Sequence, residues 1–93
     1  EIFRLPMTFE LMQNYPNPFN PATSIQYAIS SMQFVQLKVY DILGHEIVTL
    51  VNEEKPAGVH EVEFNASGLS SGMYLYKLHA GSFFEAKKMV IIK

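Results

Sequence analysis

Apolar and polar positions alternate with period two along most of this chain. In Thr23–Ile29, Ile25, Tyr27 and Ile29 share one parity and Ser24, Gln26 and Ala28 the other, which is the pattern of a half-buried strand. Phe34–Asp41 repeats it, with Val35, Leu37 and Val39 against Gln36, Lys38 and Tyr40. Asp41–Gly44 reads as a turn in which Asp41 bonds its own backbone. His45–Val51 predicts a further strand, and Asn52–Gly58, with its Pro and Gly, a polar loop. Val59–Ala66 alternates again, Val62 and Phe64 inward and Glu61 and Glu63 outward. After a Ser67–Gly72 loop, Met73–Ala80 places Tyr74, Tyr76 and Leu78 on one face. Gly81-Ser82 marks a two-residue hairpin turn into a last strand, Phe83–Lys93. With a short first edge strand over Phe9–Gln13, this makes seven strands spaced by about 8–12 residues, an all-β antiparallel sandwich. No stretch of helical length carries a 3.6-residue apolar period with caps.

Two stretches depart from the alternation. Phe83, Glu85 and Lys87 share a parity with Met89 and Ile91, so burying the last two drives the charges inward. A bulge near Lys87-Lys88 resets the phase and returns both lysines to water. The second stretch is Asn14–Pro21, with Pro16, Pro18 and Pro21 among eight residues. Proline fixes φ, removes a donor and holds the preceding residue extended, so no helix or central strand passes through. Tyr15 and Phe19 are large and apolar. The stretch therefore reads as a pinned structural corner (Tyr15, Pro16, Pro18, Phe19, Pro21) that plugs one end of the core with its two aromatics.

Composition narrows the class. Ninety-three residues make one domain, and 48% apolar against 17% charged residues describe a folded one. A net charge of −2 gives no pull toward nucleic acid or an anionic membrane, and no apolar run spans a bilayer. Without cysteine, disulfides and thiol chemistry are excluded. No secretory signal peptide is visible at the start, and the chain opens on Glu1 and not Met, so it is expected to be cut from a longer protein. Residues 1–8 are expected to be a linker remnant from an upstream domain, 9–93 the domain itself, and Lys93 a natural C-terminus.

No catalytic, cofactor or metal constellation emerges. His45, His60 and His79 lie on three strands without ligand spacing. Glu61 and Glu63 are same-face neighbours about 7 Å apart on a solvent face with no cleft for paired-carboxylate chemistry. Ser67–Ser71 lacks a nucleophile elbow, and Asn65-Ala66-Ser67 is a weak match to a glycosylation acceptor. Of the twelve aromatics most fall on inward parity, and Tyr40 and Phe83 are expected to be the most exposed. Lys87, Lys88 and Lys93 crowd the last seven positions, either as a solvated edge or as a recognition tail.

One set of fragments resembles a known family. It runs from Leu11-Met12-Gln13 through Asn14–Pro21 to Ser24–Tyr27, Leu37–Gly44 and Ala57–His60, and ends in Ser71–Leu78, Gly81 and Lys87–Lys93. In this order and spacing they resemble the C-terminal sorting domain of the type IX secretion system. The resemblance implies a seven-stranded immunoglobulin-like sandwich at the end of a secreted protein of the Bacteroidetes lineage and relatives. It implies passage through the periplasm, recognition by an outer-membrane translocon, removal by a cell-surface sortase, and a host that is secreted or held at the cell surface. It also implies a cargo domain upstream, no catalysis, no nucleic acid and no membrane insertion. Carried onto this chain, the family's recognition elements fall on Gly72, Tyr74, Gly81, Lys87, Lys88 and Lys93. Phe64 stands where the family often has Trp, and Ser71 where some members have Pro. Monomer and edge-paired dimer both remain open. So do two other readings: a carbohydrate-binding or adhesive immunoglobulin-like module, and a structural module like that of flagellar hook-capping proteins.

Overall fold

The structure, a computed structural model, describes residues 6–93. Of the expected linker remnant, residues 1–5 lie outside the described residues, and 6–8 form no strand. Seven strands follow: β1 (Glu10–Leu11), β2 (Ala22–Ile29), β3 (Gln33–Asp41), β4 (Glu46–Lys55), β5 (Gly58–Asn65), β6 (Gly72–Ala80) and β7 (Phe83–Ile91). They form a three-stranded sheet, β1-β2-β5, and a four-stranded sheet, β4-β3-β6-β7, with every ladder antiparallel. This is the expected all-β sandwich.

The inward parities carry the core. Ile25, Tyr27 and Ile29 of β2 face Val35, Leu37 and Val39 of β3, and Tyr76 and Leu78 of β6 with Met89 and Ile91 of β7 complete the layer. Each of these ten side chains is almost wholly removed from water. Burying one such side chain is worth about 1.5–3 kcal/mol, so the core is the main force holding the two sheets together.

Four expectations are corrected. The polar loop Asn52–Gly58 shrinks to Pro56-Ala57, because Asn52–Lys55 continue β4 and pair with Gln33–Gln36. As an edge strand β4 needs no apolar outer side, so its polar end reads as a loop. The bulge near Lys87-Lys88 is absent, since β6 and β7 stay in register from Gly72↔Ile91 to Ala80↔Phe83. The register breaks fall between β3 and β4 instead, at Leu37/Lys38 and Val39/Tyr40. There the apolar run Ile47–Val51 cannot alternate, and the shifts let Val48 and Val51 face inward together.

Glu85 and Lys87 keep their inward parity because β7 is the edge of the wider sheet. They pair with each other at 3.4 Å at its half-exposed margin. Glu53 and Lys55 do the same at 3.1 Å on the opposite edge strand, β4. Inward charges on edge strands discourage further pairing. Finally, Phe83 is half-buried against the core and stacks on Phe9 at 5.6 Å, while its neighbour Phe84 is exposed. The two-residue turn sets Phe83 opposite the buried Ala80, which decides the parity. Tyr40 is half-buried beneath the Lys77 ammonium, 4.6 Å from its ring centroid.

Candidate functional site

The six recognition residues expected on β6, β7 and beyond do not form one patch. Gly81 opens the β6–β7 turn at one end of the hairpin with φ +61°. With Ser82 at negative φ, this is a type II′ turn, whose first central position favours glycine. Gly72, Tyr74 and Lys93 gather at the other end, a strand length of about 30 Å away. Lys87 and Lys88 point to opposite faces of β7, Lys87 to its ion pair with Glu85 and Lys88 to solvent.

At the Gly72 end each group has work in the fold. Tyr74 is buried and its hydroxyl donates to the Ser70 carbonyl at 2.9 Å, four residues upstream. A tyrosine near the start of this strand, bonded back to the preceding loop, is the tyrosine corner of immunoglobulin-like sandwiches. Gly72 begins the strand at φ +150°, a backbone that side-chain-bearing residues rarely adopt. The Lys93 backbone N–H donates to Ser71 Oγ at 3.0 Å, and its ammonium donates to the Ser67 carbonyl at 2.9 Å. The last residue thus ties itself to the loop that Tyr74 braces.

The proline corner sits along β7. Phe19 is 3% exposed, packs edge-on to Phe64 at 6.1 Å and pairs in parallel with Ile91. Its N–H donates to the Val90 carbonyl, and its carbonyl accepts from Ile92 N–H, both at 3.0 Å. Asn17 Oδ1 accepts from Val90 N–H at 2.9 Å, and Gln13 Nε2 donates to the Lys88 carbonyl at 2.7 Å. The outward backbone groups of β7 from the Lys88 carbonyl to Ile92 N–H are therefore taken, and this length of edge is covered. Tyr15 corrects the expectation of a second plug, being 80% exposed. Its backbone bridges Ser24 of β2, which puts its ring on the outer parity beside Gln26 and Glu61.

A buried polar cluster joins this corner to β6. Tyr76 hydroxyl donates to the Met12 carbonyl at 2.8 Å and accepts from Asn14 N–H at 2.7 Å. Burial pushes the phenol up to about 12; the Asn14 bond opposes that rise and the Glu85 charge adds to it. Asn14 Nδ2 donates to Thr23 Oγ1 at 3.0 Å and to the Pro16 carbonyl at 3.2 Å, and Thr23 hydroxyl donates to that carbonyl at 2.8 Å. Sequence reasoning missed Gln13, Asn14, Asn17 and Tyr76 as a unit. The Asn-Pro pairs signalled turns, but not partners more than sixty residues away.

The remaining candidates have local roles. Asp41 Oδ1 accepts from Leu43 and His45 N–H, both at 2.9 Å, as the turn reading expects. These bonds, the His45 backbone first, hold its carboxyl below the usual range. His45 lies against Asp41, His60 stacks on Tyr27 at 5.3 Å, and His79 meets Phe84 edge-on. Glu61 and Glu63 stand exposed on the outer face of β5.

Neither the search of curated proteins nor that of solved structures returned a match. The family model described as "Secretion system C-terminal sorting domain" matches residues 13–93, from Gln13 of the corner segment through all of β2 to β7. With the match covering most of the sandwich and both halves of the seam between the corner and β7, the chain belongs to the type IX secretion C-terminal sorting domain family.

Proposed function

We infer that this chain is a folded, non-catalytic export handle: the outer-membrane translocon of a type IX system engages it to move an upstream cargo in the same polypeptide from periplasm to cell surface. A surface sortase then cuts upstream of the sandwich and leaves the cargo secreted or surface-held. The observation that carries this reading is the family match over 13–93, which spans nearly all of the seven-stranded sandwich. Gly72, Tyr74, Gly81 and Lys93 act in this reading by shaping the β6–β7 hairpin, and Lys87 and Lys88 by the charge they place along it.

The rival sugar-binding reading needs one row of exposed rings. Tyr15 stands on one sheet and Phe34 and Phe84 on the other, on strands separated by β6, which weighs against it. The test is a fluorescent protein with a periplasmic signal peptide fused ahead of this chain in a type IX-competent cell. Reporter at the cell surface or in the medium is expected, with loss of export when 87–93 are deleted. Retention of the intact fusion in the periplasm overturns the reading.

A further inference from the structure

The two outer faces of the sandwich differ in charge. On the three-stranded sheet the outer face carries Glu10, Gln26, Glu61 and Glu63, with Val59 and Tyr15 as its exposed apolar groups, so it has three carboxylates and no lysine among the described residues. On the four-stranded sheet, cross-strand pairing builds a row of Tyr40, Leu75 and Lys88, and beside it a row of Lys38, Lys77 and Ala86. Next to the first row lie Met73 and Val90, with Ile92 beyond and Ile42 and Leu43 on the adjoining β3–β4 turn. Met73 is 46% exposed, Ile92 54% and Ile42 68%. This apolar ground is not needed by the core, which lies on the other side of the same strands. Lys38 is paired with Glu46 at 3.3 Å, whereas Lys88 reaches out from the end of its row.

Building on the sorting reading, we propose that this outer face of β3, β6 and β7 is the surface the export machinery grips, and that its partner is a protein surface with an apolar centre and a carboxylate rim. An apolar patch edged by charge is the anatomy of a protein–protein interface. The lysines select an acidic rim by complementarity, which the opposite sheet, without a lysine among the described residues, does not offer. An anionic lipid surface fits less well. Polybasic lipid sites gather about 4–8 cations, and here three lysines are interleaved with apolar groups and share the face with Glu46 and Glu54. The patch also explains why the family's signature residues at Gly72 and Tyr74 have structural work. They fix the strand that carries Met73, Leu75 and Lys77.

The experiment uses the same exported fluorescent fusion. One variant carries Lys77→Glu with Lys88→Glu, a second Met73→Glu with Ile92→Glu, and a third Glu61→Lys with Glu63→Lys on the opposite sheet. All six positions are outward-facing, and thermal melts of each purified chain confirm folding. Exported reporter is expected to fall roughly tenfold or more in the first two variants, the scale of losing a central interface contact, and to stay unchanged in the third. Normal export by the first two, or equal loss by the third, overturns the proposal. Failure of the unsubstituted fusion to export overturns the sorting reading, and this inference with it. Sedimentation of the purified chain over a range of concentrations provides the last arm. Self-association that the first two variants abolish while still being exported would make a second copy the occupant, and overturn the proposal.

Discussion

The two flanks where the sheets meet are closed in different ways. On the β1/β7 flank one continuous segment, from Phe9 to Pro21, stitches both sheets together. It bonds β2 through Met12 and Tyr15, β6 through the Tyr76 hydroxyl, and β7 through Gln13, Asn17 and Phe19. On the β4/β5 flank the strands are joined only by the short Pro56-Ala57 link and splay around a polar cleft. Tyr27, Asn52, Glu53, Lys55, His60 and Glu61 line it. One flank is stitched by backbone and side-chain bonds between the sheets; at the other, Leu50, Val51 and Val62 share the cleft lining with an ion pair made within β4 and a histidine stacked within the β2–β5 ladder. The first has directional partners between the sheets, those of Tyr76, Asn14 and Thr23 among them out of water, the second mostly solvated charge. Stability should concentrate on the first.

The contrast breaks most sharply at Phe19. Phe19→Ala empties a core site and loosens the β7 edge, and is expected to cost about 3–5 kcal/mol in urea unfolding. Tyr15→Ala, four residues away but on the outer face, should stay within about 0.5 kcal/mol. Equal losses at the two positions would mean that the corner acts as one plug after all.

The next effect is at Tyr76. Tyr76→Phe leaves the Met12 carbonyl and the Asn14 N–H without their partner, at about 1–3 kcal/mol. It also has a pH signature. The phenol ionises near 10 in the unfolded chain and near 12 in the fold, so the neutral form is favoured by folding. Its contribution is whole below pH 10 and is lost as pH rises through 12. Wild type should therefore lose stability between pH 10 and 12 more steeply than Tyr76→Phe, as read by equilibrium unfolding at stepped pH. Tyr27, raised by burial and then by Glu53, adds a smaller alkaline loss that both proteins share.

The smallest effect belongs to the open flank. Glu53→Gln with Lys55→Gln removes a largely exposed pair and should change stability by less than about 1 kcal/mol. A loss matching that of Tyr76→Phe would show that the two flanks are energetically alike.

How much of this could be read from residue order follows the same division. Strands with clean period-two alternation, β2, β3 and β6, show their inward faces directly, because burial on one side is the only force acting on their pattern. Edge strands do not. Asn52–Lys55 of β4 look like a loop, since their outer side asks for no apolar residue. Glu85 and Lys87 look as if they need a bulge, since a linear pattern does not reveal that the wider sheet overhangs its partner. Phe19 and Tyr15 were indistinguishable by residue type and proline context. Only the bridge from Tyr15 to Ser24 separates their fates. The residues expected to serve recognition show their order and spacing in the sequence, but not which surface they share with their neighbours. Met73, Leu75 and Lys77 become one face with Tyr40 and Lys88 only through pairing.

The parallel run of the corner along β7 has a mechanical consequence. The chain enters at Phe9, beside Phe83 at the start of β7, and Ile92 leaves at the far end of the same strand. Tension between an upstream cargo and the last residues therefore pulls these two neighbours in opposite senses along their length. The Phe19–Val90, Ile92–Phe19 and Val90–Asn17 bonds are loaded together in shear, rather than peeled one after another. A handle seized at its tail would hold under load as a single clamp, and give way all at once.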